Sequence, residues 1–257
     1  MYNYFCILFH DVKLDDLKLD YYGKMNEYER HAYLYSAWTA LLVPWLVTIW
    51  VTWSSILLSK IDTIHMIQKT LGIVASSAVV YAALGFYIRE LFRSTSKMIF
   101  QFPMFKEDET KMPTTELLLW KNKLLSRSQI EQVHHKLQAQ YDYLMLDEQQ
   151  EYADELEARR NIVGAVGIMK EATRGNKMLL QCNYRYGYQR NLLGGLVWSF
   201  MIVLLLLIAS YVYNLKFMAG CWLALILVLI QGVVAFFFMK YAARNYARTL
   251  IITFISK

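Results

Sequence analysis

Four hydroxyl side chains on an apolar segment near the N-terminus are spaced so that they share one face of a helix. After Pro44, hydroxyls follow at intervals of four, four, three and four residues, at Thr48, Thr52, Ser55 and Ser59. Uncharged hydroxyls can face water, so this face is a candidate pore wall, with Pro44 as a place to bend. The alternative is that they bond neighbouring helices or the carbonyl four residues earlier. Because four spans in one chain rarely enclose a channel, a pore would require oligomerisation.

Tyrosines alternate with arginines between residues 183 and 191, where the sequence reads NYRYGYQRN. Aromatic rings can stack on bases and guanidinium groups bind phosphate, so this junction is a candidate site for an anionic ligand. Three upstream cations at helical spacing share one face and extend the candidate surface. The predicted ligand-binding residues are Tyr184, Arg185, Tyr188, Arg190, Lys170, Arg174 and Lys177. The alternative is an aromatic belt with a basic flank at a membrane boundary.

Adjacent histidines, His134 and His135, form the one pair that suggests a metal ion. Neighbouring positions on a helix point about a hundred degrees apart, so the two rings do not converge as ligands four residues apart would. Both are therefore interpreted as surface histidines. The three cysteines are scattered and show neither disulfide nor zinc spacing. The sequence predicts no metal site and no cofactor.

Motifs of known enzyme active sites are missing from the sequence. It contains no HExxH, P-loop, GxSxG, dinucleotide fingerprint or CxxC. The apolar segments contain no ionisable residue, which argues against proton-coupled transport. The chain is therefore predicted not to be an enzyme, with an unrecognised membrane-enzyme site as a third interpretation.

Four apolar segments are the elements that must position these side chains. Apolar residues make up 56% of the chain and charged residues 19%, against about 25% charged in ordinary soluble domains. Each segment can cross a hydrocarbon core of about 30 Å at about 1.5 Å per residue. The predicted spans are 33–58, 71–88, 192–213 and 219–239. Their short connectors predict two hairpins, 33–91 and 191–239, in an all-α membrane protein with a central cytosolic helical domain.

Basic residues flank the spans on one side of the membrane. Arg89 and Arg93 follow the second span, and Arg185 precedes the third. By the positive-inside rule, the central segment and both termini are cytoplasmic. The N-terminal segment 1–32 lacks a basic start and a long apolar core, so it is not interpreted as a signal peptide.

The central segment, 92–190, has the pattern of a folded helical domain. A capping-box pattern at 128–131 predicts the start of one helix, and a second helix is predicted from 148 to 173, with Gly175 as its stop. The tail, 240–257, has no acidic residue and predicts a cytosolic helix whose basic stripe faces anionic headgroups.

Two segments, MPTTELLLW at Met112–Trp120 and YGYQRNLLGG at Tyr186–Gly195, accompany this four-span layout. Together they resemble bacterial four-pass membrane effectors of nucleotide-signalling anti-phage defence systems, such as CBASS, Pycsar and Hailong. The resemblance implies an oligomeric effector in the bacterial inner membrane. Its cytosolic part would sense a nucleotide or a partner, and its spans would disrupt or permeabilise the membrane. No functional residue is carried over.

These observations predict a homo-oligomeric inner-membrane effector, for example a tetramer, that conducts or perturbs the membrane when its cytosolic domain is engaged. The expected partners are the lipid bilayer, further copies of the chain, and a nucleotide second messenger or cytosolic protein. No long nucleic acid is expected, because the net charge of +6 reflects membrane flanks. The alternative function is a membrane-anchored scaffold that recruits a cytosolic partner through the acidic-then-basic segment DEQQEYADELEARR, residues 147–160.

Overall fold

The chain is all-helical where it is described. The computed structural model of the protein describes residues 27–58, 68, 71–72, 84–213 and 217–257. These residues form helices and turns, with no strand among them, so the predicted all-α class is confirmed. In chain order the α-helices of four or more described residues are α1 (Tyr35–Leu58), α2 (84–96), α3 (Phe102–Phe105), α4 (Pro113–Leu118), α5 (Arg127–Tyr141), α6 (Glu148–Ala153), α7 (Glu155–Ala172), α8 (Lys177–Val212) and α9 (Met218–Ser256). A helical turn, Glu27–Glu29, and a π-helical segment, Arg30–Leu34, precede α1, and a second π-helical segment, Lys97–Gln101, follows α2.

Three helices are long and apolar enough to cross a membrane. They are the helical stretch Glu27–Trp50, which includes most of α1, and the two long helices α8 (Lys177–Val212) and α9 (Met218–Ser256). The predicted spans 33–58, 192–213 and 219–239 coincide with them in whole or in large part, whereas most of 71–88 lies outside the described residues. Three apolar helices of this kind are typical of a multi-pass membrane protein.

The chain divides into two compact units. Unit 1 takes its described residues from 1–96 and 191–231, and unit 2 consists of 97–190 and 232–257. Helix α8 therefore begins in unit 2 and ends in unit 1, and α9 runs from unit 1 into unit 2.

Small and polar residues line the packed interior of unit 1. A Cβ added at Gly194 would overlap the backbone oxygen of Phe92, so α8 and α2 approach closely here. The buried amide of Asn191 donates to the carbonyl of Ala32 at 2.8 Å, and Ser36 donates to the same carbonyl at 2.8 Å. Ala32 lies in a π-helical segment, Arg30–Leu34, that precedes α1. Such contacts are the usual means by which apolar helices associate without a hydrophobic driving force.

The hydrophobic core of unit 2 gathers side chains that are distant in sequence. Leu118 of α4, Leu137 of α5, Met169 of α7 and Phe254 of α9 are all essentially buried. Residues 247–254 belong to the segment that the sequence predicted as a basic tail. That segment has a second, apolar face, which completes this core.

Helix α5 begins two residues earlier than the sequence predicts. The prediction that a capping box at 128–131 starts this helix was wrong. The N-cap is Ser126, whose Oγ accepts from the backbone N–H of Gln129 at 3.2 Å, and the Gln129 side chain accepts from the Ser126 N–H at 3.1 Å. The segment Ser126–Gln129 satisfies the same motif as 128–131, and the chain uses the first of the two overlapping patterns.

The helix predicted from 148 to 173 is broken in two at Asp154. The Asp154 carboxylate accepts from the backbone N–H groups of Leu156 and Glu157, at 3.1 and 3.0 Å, and so starts α7 as a new helix. Aspartate competes with helix continuation because its short side chain can cap the next turn. Gly175 follows the end of α7 with φ of +86°, as its predicted role as a helix stop requires.

Candidate functional site

The hydroxyl face predicted on the first apolar segment lies on α1, where the structure describes Thr48. Its Oγ1 donates to the carbonyl oxygen of Pro44 at 2.8 Å. This is the alternative use of such a hydroxyl, a bond to the carbonyl four residues earlier. Thr52 and Ser55 lie on the same helix, but their side chains, and all of Ser59, are outside the described part of the chain. Their role in lining a pore stays a prediction.

Arg190, at one end of the tyrosine–arginine junction, packs inside unit 2. The residue is 8% exposed, and its guanidinium donates to Oε1 of Gln101 at 3.2 Å. Its Cζ lies 5.7 Å from the centroid of the Tyr186 ring, in a cation–π arrangement. In this structure Arg190 is therefore presented to an amide and a ring rather than to the surface.

The other end of the junction faces outward. Arg185 is exposed on α8, and Lys177 is exposed at the first residue of that helix. Tyr184 and Tyr188, one turn apart, are half-buried. Of the two arginines of the junction, Arg185 is therefore the one that solvent reaches.

The three upstream cations do not share one helical face, and that prediction was wrong. Lys170 lies on α7, Arg174 lies after the end of that helix, and Lys177 begins α8. Lys170 pairs with Glu109 at 3.4 Å, and Arg174 pairs with Glu171 at 2.6 Å. The positive φ at Gly175 turns the chain between the second and third cations and separates their directions.

Helices α8 and α9 are neighbours within unit 2 and carry exposed arginines there. The Cys182 sulfur lies 3.6 Å from Oγ1 of Thr249. Arg185 is three residues after Cys182, and Arg248 directly precedes Thr249; both are exposed, as is Arg244. No Asp or Glu follows Glu171 in the sequence, so this pair of helix ends contributes positive charge alone.

His134 is not the surface histidine that the sequence predicted. Its ring centroid lies 4.8 Å from that of Trp120, and its Nε2 is buried without a hydrogen-bond partner. Burial lowers the pKa of His134 below its usual range, although the Glu131 carboxylate, one turn earlier, opposes this. The neighbouring His135 is exposed, as predicted.

Glu151 is a buried carboxylate that organises the turn after α4. It is 5% exposed, and its two oxygens accept from the backbone N–H groups of Trp120 and Lys121, at 2.9 and 3.2 Å. Glu151 lies within the acidic-then-basic segment 147–160, and no local signal in the sequence distinguishes it from its exposed neighbours. Charge-assisted bonds to backbone donors are among the stronger polar contacts in proteins.

An open groove of about 650 Å³ lies between α5 and the end of α9. Most of its lining residues are of polar type, and they include Glu131, His135 and Lys136. The Lys136 ammonium already donates to the carbonyl of Phe254 at 2.9 Å, which fixes it at the C-terminal end of α9. The groove therefore offers no cluster of groups directed at a ligand.

Acidification is expected to destabilise unit 2 through His134. Because the folded-state pKa lies below the unfolded value of about 6.5, the unfolded chain binds the proton more readily. The stabilising contribution is complete above that value and is lost as the pH falls through it towards the folded-state pKa. Thermal unfolding of purified protein at pH 7.5 and pH 5 measures the loss, which we expect to be smaller in His134→Phe.

His135→Gln is the matched control, because it removes the adjacent but exposed imidazole. It should lose stability on acidification as the wild type does. Equal acid sensitivity of wild type and His134→Phe would contradict this role of His134.

Within the described residues, no group of three or more His, Cys, Asp or Glu side chains is arranged to hold a metal ion. Comparison with known protein families, curated proteins and solved structures finds no match to this chain.

Proposed function

We propose that the chain is a four-pass membrane protein with two hairpins and cytoplasmic termini, in the bacterial inner membrane. The three long apolar helices support this arrangement, with the apolar segment 71–88 as the fourth span. The connector between α8 and α9 is only a few residues, which favours an antiparallel hairpin. Basic residues beyond the ends of the spans favour the cytoplasm for unit 2.

The protein acts, in this proposal, as a homo-oligomeric effector that conducts ions or perturbs the membrane when a nucleotide or partner protein engages unit 2. The observation that carries it is the continuity of two helices. Helix α8 runs unbroken from Leu179 in the core of unit 2 into its apolar stretch, and α9 runs from its apolar stretch to Phe254 in the same core. Repacking of that core would bias the membrane helices directly.

A ligand gates such a protein only if it binds one state more tightly than the other. To raise the open fraction of the protein from about 1% to about 99%, the ligand must bind the open state roughly 10⁴-fold more tightly than the closed state. Four cations of the predicted site are exposed. Lys170 and Arg174 form ion pairs, whereas Lys177 and Arg185 stand on α8 itself, with no carboxylate of the described residues paired to them. Contacts to them would act on a membrane helix without an intermediate element.

Conductance across planar bilayers tests the proposal. Purified oligomeric protein is expected to show discrete current steps when a nucleotide from a broad panel is added. The response should fall in Lys177→Gln and persist in Arg160→Gln, an exposed arginine of α7 that is not part of the predicted site. The channel hypothesis would be overturned if the correctly assembled protein passes no current with any nucleotide of the panel and intact cells that express it show no change in membrane conductance.

The scaffold is the second candidate, and one surface of unit 2 favours it. Tyr152 is 95% exposed and Leu156 is 50% exposed, on two short stretches of helix rich in acidic residues. Large exposed apolar side chains among carboxylates suit a basic, amphipathic partner. Replacing the apolar stretches of 33–58 and 71–88 by unrelated apolar helices should preserve a scaffold and abolish a channel.

A further inference from the structure

We propose that Arg185, Arg244 and Arg248 form a binding site for the phosphate groups of anionic phospholipids on the exposed faces of α8 and α9. The inference rests on the membrane insertion proposed above and adds a lipid partner to it. Four observations of unit 2 carry it: the distribution of ion pairs, the order of side chains along α9, the proximity of α8, and the rigidity of the backbone that bears the arginines.

Among the described residues of unit 2, five cations are matched by carboxylates, and all five precede α8. Arg127 pairs with Glu148 at 2.8 Å, and Arg159 pairs with Glu116 at 2.8 Å. Lys121, Lys170 and Arg174 are paired in the same way. Among the described residues, no carboxylate lies within 4 Å of the three arginines of the proposed site. Their charge is therefore available to an external anion.

The exposed face of α9 follows the order of layers in a bilayer. Val233, Phe237, Tyr241, Arg244 and Arg248 recur at intervals of four, four, three and four, and all are exposed. The face thus changes from aliphatic to aromatic to basic along the helix. Apolar residues, an aromatic belt and arginines occupy the hydrocarbon, the interface and the headgroup layer in that order.

The distances along α9 place Arg244 near the polar layer and Arg248 at its outer side. At about 1.5 Å per residue, Tyr241 lies roughly 6 Å, Arg244 roughly 10 Å and Arg248 roughly 16 Å beyond Phe237. The headgroup layer extends about 5–8 Å beyond the hydrocarbon on each side. Helical side chains lean toward the N-terminus, which for α9 is the direction of its apolar stretch, so the long side chain of Arg244 reaches back into that layer and that of Arg248 extends towards it.

Helix α8 supplies the third arginine. The 3.6 Å contact between Cys182 and Thr249 places the two helices side by side, with Arg185 about one turn from one contact residue and Arg248 adjacent to the other. Arginine presents planar, paired N–H donors that match phosphate oxygens. Two helices that each offer such a group can hold one headgroup or two adjacent ones.

The backbone under the site is held in place by the core of unit 2. Ala247 and Leu250 are fully buried on the opposite face of α9, and Leu179 is buried on α8. A fixed backbone reduces the entropy lost when arginine side chains close on an anion.

The occupant to which these observations point is a lipid rather than a free nucleotide. A nucleotide site is normally a concave pocket with walls that bury most of the ligand. The three arginines lie on outward helix faces, next to the exposed apolar side chains of Phe237 and Ile252. A phospholipid would place its acyl chain against these apolar side chains and its phosphate on the arginines.

Binding of fluorescent phosphatidylglycerol and phosphatidylcholine to the purified full-length chain in detergent micelles tests the site. The wild type is expected to bind phosphatidylglycerol preferentially. Since each basic residue near an anionic surface is worth about 1 kcal/mol, a single Arg→Gln change should reduce the preference about fivefold. The triple variant R185Q/R244Q/R248Q should reduce it about a hundredfold.

Lys123→Gln, Arg127→Gln and Arg160→Gln together form the matched control, with the same change in net charge at other exposed positions. This variant should keep the preference of the wild type. Circular dichroism on both triple variants establishes that each is folded, and if R185Q/R244Q/R248Q is not, the three single variants decide. Equal affinity of the wild type for the two lipids, or an equal loss in both triple variants, would overturn the proposal.

Competition separates a lipid site from a general phosphate site. Unlabelled phosphatidylglycerol should displace the labelled lipid, whereas inorganic phosphate and ATP at the same concentration should not. Displacement by ATP as effective as by lipid would overturn the lipid assignment. A chain that conducts but shows no preference for phosphatidylglycerol refutes this inference alone, and a chain with the preference that never conducts refutes the channel alone.

Discussion

Phe254→Ala is expected to destabilise unit 2 by about 3–5 kcal/mol, the usual cost of removing a buried aromatic side chain. Phe254 is 1% exposed and packs with the core residues of α4, α5 and α7. The Lys136 ammonium also lies 5.3 Å from the centroid of its ring. Because a domain is stable by only about 5–15 kcal/mol, this loss should lower the unfolding midpoint markedly and expose the central segment to protease.

Ile252→Ala is the control, two residues earlier on the same helix. Ile252 is 44% exposed, and substitutions at such positions usually change stability by no more than about 0.5 kcal/mol. Thermal unfolding in mild detergent and limited proteolysis measure both variants. If the two have the same midpoint and the same cleavage pattern, the end of α9 is not part of the core of unit 2.

Gly194→Ala is expected to destabilise unit 1 by about 1–3 kcal/mol or more, although alanine is the better helix former. The added methyl group would overlap the carbonyl oxygen of Phe92 and approach Cβ of Ser96 at 2.8 Å. A backbone atom cannot move aside as a side chain can, so α8 and α2 would have to separate. Thermal unfolding and the yield of folded protein in detergent measure the loss.

Gly232→Ala provides the comparison, since no atom lies within 4 Å of a Cβ built at this position of α9. There the change should be neutral or stabilise the protein by up to about 1 kcal/mol, through helix propensity alone. A stable Gly194→Ala protein would show that the close approach of α8 and α2 is not required.

Composition was sufficient to predict the helical class and the three long apolar helices, because lipid allows few alternatives to a helix with a continuous apolar run. The pattern around Gly175 was equally direct, since a positive φ at a helix end favours glycine over other residues. These features depend on neighbours in sequence, and sequence analysis can evaluate them.

Features that depend on distant contacts were not predictable in this way. Ser126 and Ser128 both satisfy the capping pattern, and tertiary packing selects the first. His134 is half-buried and has a buried Nε2 because Trp120 lies against it, and no pattern in the sequence predicts that contact. Arg190 resembles its neighbour Arg185 in every local respect, yet a bond to Gln101 turns it inward. Arg190 is therefore not presented at the surface of the candidate site.

Because the end of α9 is part of the core of unit 2, the order of synthesis limits when unit 2 can fold. A ribosome makes the central segment well before residues 247–254, which complete the core around Leu118 and Leu137. Chains generally fold domain by domain as they emerge, but this domain must wait until both long apolar helices have been synthesised. During that interval its apolar surface is uncovered and open to chaperones. Completion of unit 2 can thus occur only after the membrane helices have left the ribosome.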